Sequence, residues 1–208
     1  MNQKNIKDFL SADKKDIKYS WFLGEFLLSF FCCGFAIYVS KNLLISGIIM
    51  GIYISAGAGL LIIAAATKRD TKRNYLFHGI FGIYMGIAFG LLGIQLLATS
   101  PQEILYLTIA LCISLGIAGV AFYLFIKAKI NHCGYAVSYT GMASAYIPIT
   151  VVLYLTINGA TNLWTQNSKL LLLGVLCFII APISMYCLIF IMKYYYFKIL
   201  EDDKTVNN

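Results

Sequence analysis

The chain has 208 residues, of which 60% are hydrophobic and 12% charged, with a net charge of +7 and a mean hydropathy of +0.79. Water-soluble domains carry about 45–50% apolar and about 25% charged residues, so a soluble globular fold is excluded. The basic residues sit in short segments beside apolar runs, where positive-inside bias and anionic lipid account for them, which leaves no basic surface for nucleic acid.

Residues 1–18 are polar, with five Lys and three Asp, and read as a cytoplasmic tail that has room for a short surface helix. Six apolar runs follow, at 19–39, 43–66, 75–97, 104–126, 135–157 and 170–192. Each exceeds the 18 or so residues a helix needs to cross the roughly 30 Å hydrocarbon core. Residues 193–208 form a polar C-terminal tail. The first run lacks the short apolar core and small-residue cleavage site of a signal peptide. The predicted fold is an all-α integral membrane protein, a six-transmembrane-helix bundle in domain 19–192.

Charge orients it. Fourteen of the sixteen Lys and Arg fall on one side of this map: in the N-terminal tail, the 67–74 and 127–134 segments, and the C-terminal tail. Only Lys41 and Lys169 fall on the other. Lys and Arg in short loops mark the cytoplasmic side, so both termini are expected there, in a multi-pass plasma-membrane protein. Adding or removing one span would scatter the bias. The expected outer connections are short, so the chain reads as three tight hairpins. Tyr and Trp crowd the span ends, where amphipathic rings prefer the interface. The low Arg content, Arg69 and Arg73 alone, points to an AT-rich bacterial source.

Apolar side chains gain little by leaving lipid for protein, so helices in a bilayer associate through small residues that let backbones approach. The third span carries the clearest stripe: Gly79, Gly82, Gly86, Gly90 and Gly93 fall within an arc of about 80° at about 100° per residue. Shorter stripes are Ser29, Cys32 and Ala36 on the first span; Gly47, Gly51, Ser55 and Ala58 on the second; Cys112, Gly116 and Gly119 on the fourth; and Gly174, Cys177, Ala181 and Ser184 on the sixth. Packing within the bundle is the expected use of the third-span stripe, with homo-oligomer or partner-helix contact as its competitor.

Few residues can carry chemistry. Glu25 is the only acidic residue inside a span. A charge in lipid costs at least about 2.5 kcal/mol, so such a group faces protein or water. His78 lies at a similar depth in the third span, and the two form a candidate proton- or ion-coupling pair. An interfacial Glu paired with a loop Lys, and a His bonded to a carbonyl, are the structural alternatives. Pro148 and Pro182 interrupt the fifth and sixth spans and are candidate hinges, because proline frees a carbonyl one turn earlier. The fifth span is the most polar, and Ser138, Tyr139, Ser144, Tyr146 and Thr150 are candidate cavity-lining residues; hydroxyls bonded to their own backbone are the alternative. Gln95, near the outer end of its span, receives no role.

No GxSxG, HExxH, P-loop or GxGxxG occurs, so an enzyme is not expected. No cofactor is expected either: His78 and His132 lie near one face without a third ligand, and the six Cys fit no metal spacing. The expected function is a permease, or a membrane subunit of a transporter, for a small solute. The alternative is a non-transporting accessory, immunity or regulatory protein that binds partner helices through glycine-rich faces. The expected surroundings are the lipid bilayer and a membrane-protein partner or second copy, with no nucleic acid.

Overall fold

A computed structural model describes residues 6, 7, 9, 10, 19–40, 43–67, 71–132 and 166–206. All regular structure among them is helical. We number the helices α1 (Tyr19–Val39), α2 (Leu43–Ala66), α3 (Thr71–Leu97), α4 (Pro101–His132), α5 (Gln166–Ile183) and α6 (Leu188–Val206), with a 3₁₀ turn at Ser184–Cys187 joining the last two. Five stretches are long and apolar enough to cross a membrane: Ser20–Val39, Leu43–Ala66, Lys72–Leu97, Pro101–Ala128 and Leu170–Leu200. That is the pattern of a helical membrane protein. The fifth predicted span, 135–157, lies outside the described residues.

Several helices run past the apolar stretches that announce them. Hydropathy marks where lipid ends, whereas a helix ends where its backbone bonds end. No Pro or Gly interrupts residues 71–75, so α3 starts at Thr71. α4 starts at Pro101 behind a capping box: Ser100 Oγ accepts the Glu103 N–H at 3.3 Å, and Glu103 Oε2 accepts the Thr99 N–H at 2.6 Å. Serine at the N-cap, proline at the first helical position and glutamate two residues later is a strong start signal. The expected C-terminal tail is helical from Leu188 to Val206.

α3 is the central helix. α1 and the α5–α6 pair pack along its length, while α2 and α4 flank it. The glycine stripe explains the closeness of α3 to α5–α6. A Cβ at Gly79 would lie 2.6 Å from Ile191 Cγ1, and one at Gly90 would lie 3.1 Å from Ala181 Cβ on α5 and 2.6 Å from Leu111 Cδ2 on α4. At Gly82 and Gly86 it would fall within contact distance of Cys187 and Ser184, and at Gly93 it would lie 2.8 Å from the Gly174 carbonyl. Only glycine lets these backbones approach so far. The partnered stripes interlock: Ser29, Cys32 and Ala36 on α1 and Gly174, Cys177, Ala181 and Ser184 on α5 and its turn are all buried.

The other two stripes point elsewhere. α2 buries Ser46, Met50, Gly57 and Ala64 instead of its expected stripe, and a Cβ at Gly47 or Gly51 would meet no described atom within 4 Å. On α4, Cys112 and Gly116 are exposed among the described residues. A small residue permits close approach without compelling it; the aromatic pair described below sets the α2–α3 spacing.

Candidate functional site

The helix α1 brings Glu25 to α3 two turns in from its start, directly opposite His78. His78 Nδ1 and Glu25 Oε1 are 3.0 Å apart, with side chains 5% and 17% exposed. The walls are aromatic: the His78 ring centroid lies 4.4 Å from that of Phe190, 5.6 Å from Trp21 and 6.4 Å from Phe22. Ser29 Oγ donates to the Glu25 backbone carbonyl at 2.8 Å, one turn along α1. A buried carboxylate needs a compensating partner in a medium of low dielectric. The imidazole is the polar group that stands nearest the Glu25 Oε1 atom, so a carboxylate and an imidazole lie side by side inside an apolar bundle.

Two further polar groups lie one turn nearer the same end of the bundle. Asn74 and Lys193 are both buried, Lys193 to 1% exposure. The Lys193 ammonium sits 5.9 Å from the Tyr75 ring centroid. Lys193 is the first residue of the expected polar C-terminal tail. Its burial follows from the continuation of α6 past Met192, which seats the next turn against α3.

At the opposite end, Ser46 Oγ donates to Gln95 Oε1 at 2.9 Å, and Ser40 Oγ lies 2.6 Å from Ser46 Oγ. Gln95 is buried. Its partner is 49 residues away in sequence, so no local pattern marks it. Between the two ends, Tyr53 of α2 and Tyr84 of α3 stack with centroids 4.2 Å apart and planes within 6°. Each hydroxyl donates to the other's backbone carbonyl, Tyr84 Oη to Tyr53 O at 2.9 Å and Tyr53 Oη to Tyr84 O. Buried phenols require such acceptors. Gly57 makes room for the Tyr84 ring.

Pro182 lies inside α5, two residues before the 3₁₀ turn at Ser184–Cys187. Proline cannot donate to the carbonyl four residues back, and the helix resumes in its α form at Leu188 only after tightening. Ser184 Oγ donates to the Ala181 carbonyl at 2.7 Å, and the turn faces Gly82 and Gly86. The structure thus gathers Glu25, His78, Pro182 and the five α3 glycines around one helix. Pro148, Ser138, Tyr139, Ser144, Tyr146 and Thr150 lie outside the described residues. Comparison with protein-family models, curated proteins and solved structures finds no match for this chain.

Proposed function

We propose that the protein is a six-span permease, or the membrane subunit of a transporter, that couples movement of a small solute to protons through Glu25 and His78. The observation that carries this reading is their approach, His78 Nδ1 to Glu25 Oε1 at 3.0 Å, between two apolar spans. Ionisable groups at such positions are costly and mark ion or proton pathways. Pro182 and the 3₁₀ turn give α5–α6 a break where it meets α3, the kind of discontinuity on which access changes turn.

Both termini belong on the cytoplasmic side, because the fourteen basic residues gather at one end. Five of the six expected spans correspond to long apolar stretches among the described residues. α4 ends at the basic end, where Ile126 and Ile130 join the cluster of Phe190 and Tyr196. α5 starts at the opposite end, since Gly174 packs on Gly93 while Ile191 packs on Gly79.

The test is proton movement into vesicles. Protein reconstituted with the pH dye pyranine trapped inside should acidify the lumen under an imposed gradient, and Glu25→Gln should abolish this. Equal rates for Glu25→Gln and the wild type would remove the coupling role. Reporter fusions at each terminus test the orientation; an external signal from either end contradicts it.

The accessory-protein reading needs a glycine face open to a partner. The α3 stripe is covered by α5, the 3₁₀ turn and α6, with Leu111 of α4 over Gly90. Among the described residues, open small-residue faces include Gly47 and Gly51 of α2 and Cys112 and Gly116 of α4, so Gly51→Leu and Gly116→Leu, rather than a change on α3, test that reading.

A further inference from the structure

The polar N-terminal segment is not wholly solvated. Ile6, Phe9 and Leu10 are helical and buried, Phe9 to 0% exposure. They recur at the three- and four-residue spacing that puts side chains on one helix face. They join an apolar cluster that includes Phe22 of α1, Ala64 of α2, Tyr75 and Phe77 of α3, Ile126 and Ile130 of α4, and Tyr196 of α6.

Phe9 makes the specific contacts. Its ring meets Tyr196 edge-on at 6.1 Å and 88°, and the Lys193 ammonium lies 5.5 Å from its centroid. Lys193 is therefore shared between the rings of Phe9 and Tyr75. Tyr75 lies three residues before His78 on α3, and Lys193 three residues after Phe190 on α6. Both sit about one 5.4 Å turn nearer the basic end than the Glu25–His78 pair. Phe9 meets that layer through Lys193.

We propose that Ile6, Phe9 and Leu10 form a removable cap that closes the Glu25–His78 pair to water on the basic side, latched by Phe9 over Lys193 and against Tyr196. Ile6, Phe9 and Leu10 hold the segment to the bundle through the side chains they bury, and loss of one shifts the equilibrium towards the open form. A ring over a desolvated cation is a large share of that docking energy. The cap gives the buried pair a gate on one side; its purpose rests on the proton-coupling reading, but its closure can be measured without any transport assay.

The experiment is acylation of His78 by diethyl pyrocarbonate in protein held in lipid nanodiscs, with modification of the His78 peptide quantified by mass spectrometry. Wild-type His78 should react slowly relative to the same protein unfolded in SDS. Phe9→Ala should react about tenfold faster, since local opening sets access, and Phe9→Trp should keep the slow rate. If Phe9→Ala loses helical content, Lys193→Met is read instead, because it withdraws the cation and leaves the apolar cluster; it too should expose His78. Equal rates for the wild type and the folded variant, or a wild-type rate equal to that in SDS, overturn the cap. Faster acylation in a protein that moves no protons would keep the cap and discard the coupling role.

Discussion

Gly93→Ala compared with Gly116→Ala isolates the contribution of close helix approach. At Gly93 the added methyl would lie 2.8 Å from the Gly174 carbonyl oxygen and 2.9 Å from the Phe178 nitrogen. Both are backbone atoms, so no side-chain rotation relieves them and α3 and α5 must separate. Overpacking of this kind costs about 1–3 kcal/mol. At Gly116 the methyl meets no described atom within 4 Å. Both substitutions gain the same helix propensity, about 0.5–1 kcal/mol, which cancels in the difference. Gly93→Ala should therefore be about 1–3 kcal/mol less stable than Gly116→Ala. Reversible SDS titration of the protein in mixed micelles, followed by circular dichroism, reads this as a shift in midpoint at constant slope. Equal midpoints would refute the claim that the Gly93–Gly174 approach holds α3 to α5.

Three further outcomes follow from the polar contacts. Tyr53→Phe removes the hydroxyl bonded to the Tyr84 carbonyl and should cost about 1 kcal/mol in the same titration; a variant as stable as wild type would show that stacking alone joins α2 to α3. Gln95→Leu takes away the acceptor of the Ser46 hydroxyl and should cost about 1 kcal/mol, and less when Ser46 is already Ala, because the bond is then absent from both chains compared. Independent, additive effects of these two would contradict the Ser46–Gln95 bond. Glu25→Gln and His78→Gln should each destabilise, and a double-mutant cycle should return a coupling of at least about 1 kcal/mol; zero coupling would mean that the pair contributes nothing to stability.

The helical, membrane-length character of the chain was legible because the apolar runs are long and unbroken. The glycines of α3 were legible as a stripe because their spacing is local. Which surface that stripe meets was not, since Ser184 and Cys187 lie about a hundred residues further on. The same holds for Tyr53 with Tyr84 and for Ser46 with Gln95: each is an ordinary residue until a distant helix arrives beside it. Depth alone suggested Glu25 and His78, but their 3.0 Å separation depends on the rotation of α1 about α3. Lys193 was misread because charge was equated with solvent, whereas two aromatic rings enclose it. The cap did leave a signal: Ile6, Phe9 and Leu10 have amphipathic spacing, obscured by the Lys and Asp around them.

Proton flux through the reconstituted protein bears most directly on the Glu25–His78 pair. Wild type, Glu25→Gln, His78→Gln and the double variant are compared at one protein-to-lipid ratio, with Gly116→Ala as a folded control. Groups that act as a unit are non-additive, so each single variant should lose the flux, the double should be no slower than either, and Gly116→Ala should match wild type. Wild-type vesicles no faster than protein-free ones, or single variants as fast as wild type, would contradict a proton-coupling role for Glu25 and His78.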